Sequence, residues 1–106
     1  MSDRLNKLLD LLQESPTDSF ILFAVAKEFE NLNQQDVALS YYEKLYALNS
    51  TYVGLYYHWG KILEDLDQIS KALEVYTLGI DISLKLKDTH AEKELRAAKY
   101  NCEMLQ

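Results

Sequence analysis

The chain has 106 residues, 48% hydrophobic and 26% charged, with a formal net charge of −6. This is the composition of one folded domain, not of a disordered segment. Three glycines and one proline are too few for the many turns of a β-rich fold, and an acidic balance without a basic face argues against nucleic acid as a partner.

In chain order, Leu5, Leu8, Leu9 and Leu12 recur at helical spacing and predict a short amphipathic helix over 3–14. Ser15-Pro16 ends it, because the residue before proline avoids the helical region and proline lacks a donor. Thr17 or Asp18 is placed to cap the next helix, whose inner face carries Leu22, Val25, Ala26 and Phe29. A break at 31–34 precedes a helix with Val37, Ala38, Tyr41, Tyr42, Leu45 and Leu48, in which Tyr42 reads as core, Tyr41 as packing on the outer side and Tyr46 as exposed. Asn49-Ser50-Thr51 is expected to supply a second break and cap. Next comes YYHWGKILEDL, residues 56–66, where three aromatic rings and a histidine crowd together. Tyr56, Trp59, Gly60 and Leu63 stand at i, i+3, i+4 and i+7, so they form one face and read as core. Tyr57 and Lys61 point elsewhere. After a break at 65–67, Ile69, Ala72, Leu73, Tyr76, Gly79 and Ile82 mark a fifth helix. Thr89 with Glu92 three residues on has the form of a capping box, and the last helix, over 89–105, turns Ala91, Leu95, Ala98, Cys102 and Leu105 inward.

Several of these positions recur at a spacing of 34: Phe23 and Tyr57, Ala26 and Gly60, Lys27 and Lys61, Phe29 and Leu63, Ala38 and Ala72, Tyr42 and Tyr76. Two helices and a short turn repeated at that period resemble the tetratricopeptide repeat (TPR) family. The family's pattern of Trp, Leu-Gly, Tyr, Ala, aromatic and Ala is met by Tyr56, Trp59, Gly60, Leu63, Ala72, Tyr76 and Gly79 in one repeat, and by Leu22, Val25, Ala26, Phe29, Ala38, Tyr42 and Leu45 in the other. The departures are Leu45 for a small residue, and Ser50 and Leu84 where prolines are usual. Without proline at 84, the fifth helix is expected to run on to Lys87.

The resemblance implies an all-α fold, a TPR-type α-α superhelix of about six antiparallel helices. The single domain, 1–106, would comprise a flanking helix at 3–14, repeat one at 19–52, repeat two at 53–86 and a capping helix at 89–105. It is similar to short bacterial TPR proteins that are little more than two repeats with helical ends. By the same resemblance, Phe20, Phe23, Lys27 and Glu30 from repeat one and Tyr57, His58, Lys61, Glu64 and Asp65 from repeat two line a concave groove for a peptide or helix of a protein partner. Phe23 and Tyr57 would anchor it, and the two lysines would orient a carboxylate. TPR domains that grip chaperone tails need lysine where Phe23 stands and asparagine where Lys27 stands, so that ligand is not expected.

No enzyme is expected, because no nucleophile or phosphate-loop motif is present. His58, His90 and the lone Cys102 lack metal-ligand spacing, so neither metal nor cofactor is expected. Glu64, Asp65 and Asp67 lack the glycine and spacing of a calcium loop. One cysteine permits no intrachain disulfide, the polar start carries no leader-like apolar run, and no segment reaches the ~20 apolar residues of a membrane span. These features are consistent with a cytoplasmic protein. The alternative role is a structural, self-associating homodimer built on exposed tyrosines.

Overall fold

The structure, a computed structural model, describes residues 2–106. Among them are six α-helices and no strand: α1 (Asp3–Glu14), α2 (Ser19–Asn31), α3 (Gln35–Leu48), α4 (Gly54–Asp65), α5 (Ile69–Leu86) and α6 (Thr89–Glu103). Each boundary has a local cause. Ser2 caps α1, its hydroxyl accepting from the Leu5 N–H at 2.9 Å, and Asp18 caps α2 through the Ile21 N–H at 3.0 Å. The Ser15-Pro16 step separates the two helices.

The turns after α2 and α4 are the same turn written twice. Gln34 N–H reaches back to the Phe29 carbonyl at 2.9 Å, and Gln68 N–H to Leu63 at 2.8 Å. Asn33 N–H bonds Glu30, and Asp67 N–H bonds Glu64, at 3.0 and 2.9 Å. Both pairs satisfy carbonyls that a helix end would otherwise leave without an intrahelical donor. They require a left-handed residue between, and Asn33 and Asp67 each sit at φ 61°. Short polar side chains tolerate that region better than most. The same closure ends α5, with Lys87 at φ 59° and Asp88 N–H bonded to Ser83 O at 2.9 Å.

Two capping expectations are corrected. Asp88, not Thr89, caps α6: its carboxylate accepts from Ala91 N–H at 3.0 Å, and Thr89 is already helical. A carboxylate at this end also meets the helix dipole favourably. The residues 49–51 do not cap α4, whose N-cap is Val53 with no side-chain bond. Asn49 instead folds the connection, accepting from Thr51 N–H and Oγ1 at 3.3 and 2.8 Å and donating to Ser19 Oγ at 3.0 Å.

The chain divides into two units, with the boundary between Tyr52 and Val53. In the first, α2 packs on both α1 and α3. Its core is Leu5 and Leu12 from α1, Leu22, Val25 and Ala26 from α2, and Ala38, Tyr42 and Leu45 from α3. Phe29 is only half-buried and stacks on Tyr41, with ring centroids 5.4 Å apart and planes 14° from parallel. In the second unit α5 packs on α4 and α6, and α4 also meets α6. Tyr56, Trp59, Gly60 and Leu63 are all buried there, so the aromatic cluster of α4 is core on its i, i+3, i+4, i+7 face. Burial of each large apolar side chain contributes about 1.5–3 kcal/mol.

Two close approaches depend on glycine. The Tyr76 ring of α5 lies over Gly60, in space that a Cβ would occupy. A Cβ at Gly79 would stand 2.5 Å from Tyr56 Cβ and 2.9 Å from Leu95 Cδ1. Three expectations about burial do not hold. Leu48 ends α3 and is 46% exposed, and Leu105 lies beyond the end of α6 and is 57% exposed. Both sit where the chain leaves the helix. Tyr46, expected on the surface, is half-buried.

Candidate functional site

In the first unit, the α2 residues Phe20, Phe23, Lys27, Glu28 and Asn31 share one recess with Arg4 of α1. It has a volume of about 360 Å³. Phe23 forms a fixed wall: its ring lies 5.4 Å from Tyr52 and 6.2 Å from Tyr42, centroid to centroid. Phe20, one turn earlier, is 69% exposed. Burial, with the Asp18 carboxylate nearby, raises the Tyr52 phenol above its ordinary value and keeps it neutral.

Two charged groups at this recess were not legible as site residues in the sequence. Glu28 is 7% exposed and holds the start of α1 against α2. It accepts from Ser2 Oγ at 3.1 Å and Asn31 Nδ2 at 3.4 Å, and pairs with Arg4 Nε at 3.5 Å. Arg4 reaches over it with a side chain 72% exposed. The signal available was positional: Glu28 falls three residues after Val25 on the apolar stripe, where the second repeat has Ile62. A buried carboxylate needs donors, and Ser2 and Arg4 supply them.

Glu30 belongs to the turn more than to an open surface, because Tyr42 donates its hydroxyl to Glu30 Oε1 at 2.9 Å. In the second unit the equivalent bond runs from Tyr76 to Glu64 Oε2. Burial first, and the partner carboxylate second, push both phenols far above their ordinary range. Glu64 also has Lys61 Nζ at 3.7 Å. Lys27, at the equivalent place in the first repeat, makes no ion pair among the described residues.

Tyr57 and His58 are half-buried and meet edge to face, 5.4 Å apart. Of the nine candidate residues, the structure therefore gathers Phe20, Phe23 and Lys27 at one recess in the first unit. It ties Lys61 and Glu64 to each other in the second. Cys102 of α6 approaches that pair and is fully buried, donating weakly to Ile69 O at 3.9 Å. Burial, reinforced by the Glu64 carboxylate, pushes its thiol pKa up, so it is poorly suited to act as a nucleophile. Among the described residues no three His, Cys, Asp or Glu side chains stand together as metal ligands, and no helix is long and apolar enough to cross a membrane.

Helix hairpins closed by the same turn and the same Tyr–Glu bond define an all-α helical repeat protein. No protein-family model matches the chain, and no curated protein matches it either. Solved structures do. A tetratricopeptide repeat domain protein of Salinibacter ruber is 34% identical over 84% of this chain and 99% of its own crystallised chain, with a TM-score of 0.80. Its solution structure gives 0.82. The chain belongs to the tetratricopeptide repeat family. More distant structures share the fold: a Bordetella parapertussis protein at 19% identity and TM-score 0.85, over 98% of this chain and 90% of that one, and the Yersinia enterocolitica type III secretion translocator chaperone SycD at 12% and 0.86, over 94% and 70%.

Proposed function

We propose that this chain is a protein-interaction module that takes a peptide or helix of a partner on the faces carrying Phe20, Phe23 and Lys27 in repeat one and Tyr57, His58 and Lys61 in repeat two. The observation that carries this reading is Lys27, which makes no ion pair among the described residues and stands beside one exposed and one fixed aromatic ring. Aromatic anchors next to a charge are the usual composition of binding hot spots. A translocator chaperone with the same fold supports a polypeptide as the kind of ligand. The proposed role is binding rather than catalysis.

Capture of protein partners on immobilised wild-type chain tests it. Binding should be lost in Lys27→Glu/Lys61→Glu and kept in Lys44→Glu/Lys93→Glu, which reverses two charges at exposed positions on α3 and α6. Equal capture by both double variants would remove the assignment. The second reading, self-association, is favoured by Tyr100 in the last turn of α6 and Met104 at its C-cap, two exposed large side chains four residues apart. Light scattering that gives a monomer mass at high concentration would dismiss it.

A further inference from the structure

We infer that the recess between α1 and α2 is a subsite for an acidic side chain flanked by apolar residues in an extended partner segment, with Lys27 and Arg4 meeting the carboxylate and Phe20 and Phe23 the apolar neighbour. This rests on the interaction-module reading and specifies the chemistry of its ligand.

Three observations lead there. The first is the asymmetry between the repeats. Lys61 has Glu64 at 3.7 Å, whereas Lys27 makes no ion pair among the described residues. Arg4 adds a second cation, shared with Glu28 but largely exposed. The second is apolar surface placed beside that charge. Phe20 has Gly54 as its counterpart 34 residues on, and Ala24, which lines the recess, has His58. Repeat one thus presents a ring and an open floor where repeat two presents no side chain and an imidazole. The third is size. About 360 Å³ is near the lower end of ligand pockets, which run from roughly 300 to 1,000 Å³. It suits one or two side chains and not a whole helix.

The choice of a side-chain carboxylate over a chain terminus follows from the donors. Capture of a terminal carboxylate usually relies on converging backbone N–H groups. Here Phe23, Lys27 and Asn31 lie beyond the first turn of α2, where backbone N–H groups are already bonded within the helix. The cations at the recess, Lys27 and Arg4, are side-chain groups on flexible stems. Because the chain as a whole is acidic, with net charge −6, the attraction is local and strongest at close range.

The test is a ¹⁵N-labelled titration of the full chain to millimolar peptide, with acetylated, amidated Gly-Ser-Leu-Glu-Leu-Ser-Gly against the same peptide with Gln for Glu. The Glu peptide should shift amides of residues 20–31 and bind up to about five-fold more tightly than the Gln peptide, the ratio expected of an exposed charge pair. High salt should erase the difference. Lys27→Gln should equalise the two peptides, and Ala24→Trp, which fills the recess without removing a charge, should abolish both. Equal affinity of the Glu and Gln peptides for the wild type overturns the inference, and so does binding only of a free-acid peptide ending in Leu. Shifts confined to residues 57–64 overturn it as well, while leaving the broader interaction role to stand or fall on the capture experiment.

Discussion

Tyr42 donates its hydroxyl to Glu30 across 2.9 Å, from the middle of α3 to the last turn of α2. The bond recurs between Tyr76 and Glu64, 34 residues later. In both repeats a buried ring thus carries a polar tip that ends on the residue whose carbonyl closes the interhelical turn. The ring fills the core and the hydroxyl ties it to the hairpin's bend.

These bonds give a pH dependence with a definite sign. A phenol ordinarily ionises near pH 10, and both of these are raised, by burial and then by the carboxylate. Below pH 10 folded and unfolded chains are both protonated there, so the stabilisation is complete. Above it the unfolded chain loses protons that the folded chain keeps, and stability falls as pH rises. Each tyrosine should add up to about 1.4 kcal/mol per pH unit to that decline well above pH 10, and about half of that on average between pH 9 and 11. Urea unfolding between pH 9 and 11 should show a shallower slope in Tyr42→Phe/Tyr76→Phe, one such increment per substitution. At neutral pH each change should cost about 0.5–1.5 kcal/mol. An unchanged alkaline slope would mean that the phenols ionise in the folded state.

The Gly60–Tyr76 contact reverses a common rule. In an ordinary helix interior, alanine is better than glycine by about 0.8–1 kcal/mol. A Cβ at Gly60 would run into the Tyr76 ring, whose hydroxyl is held by Glu64. Gly60→Ala should therefore destabilise by about 1–3 kcal/mol, and Gly60→Leu by more. Gly60→Ala combined with Tyr76→Leu should cost less than the sum of the two singles, because the smaller side chain vacates the space. Thermal unfolding of the four proteins completes the cycle, and additivity would show that the two positions do not touch.

Much of this was legible in the sequence, and the reason is that repetition makes the pattern redundant. Gly60, Ala72 and Tyr76 have counterparts at Ala26, Ala38 and Tyr42, so the core face could be read twice. The helix ends were less legible. Asp88 and Thr89 are both good caps, and only geometry decides between them. The recess was half-legible. Phe20, Phe23 and Lys27 follow from the repeat register, but Arg4 and Glu28 come from outside it: one lies in the flanking helix and the other interrupts an apolar stripe. Their meeting depends on α1 packing against α2, which no spacing rule encodes.

The end of α5 offers a gain in stability. Lys87 takes a left-handed conformation at φ 59° so that Lys87 and Asp88 N–H groups can close the helix. Glycine adopts that region without the steric cost an L-residue meets. Lys87→Gly should stabilise by about 0.5–1 kcal/mol, with the rise limited by the extra freedom of glycine in the unfolded chain. For a domain of this size the melting point should rise by several degrees. Lys87→Val should lower it, and a lower melting point for the glycine variant would contradict the assigned cap.

Glu28 links stability to the proposed ligand. It occupies a position where the second repeat has Ile62, and it binds Ser2, Asn31 and Arg4 from a nearly closed site. Glu28→Ala would leave a gap and strip the capping serine of its acceptor, at a cost of about 1–3 kcal/mol. Glu28→Ile restores apolar volume, and a well-packed apolar residue often replaces a buried charge without loss; its stability should fall within about 1 kcal/mol of wild type. The same change releases Arg4 from the carboxylate it pairs with, so the recess becomes more cationic. The Ile variant should therefore bind the Leu-Glu-Leu peptide more tightly than wild type while its affinity for the Gln peptide stays the same. A parallel gain for both peptides would trace the effect to packing instead of charge, and a loss for the Glu peptide would mean that Glu28 holds Arg4 in its binding position.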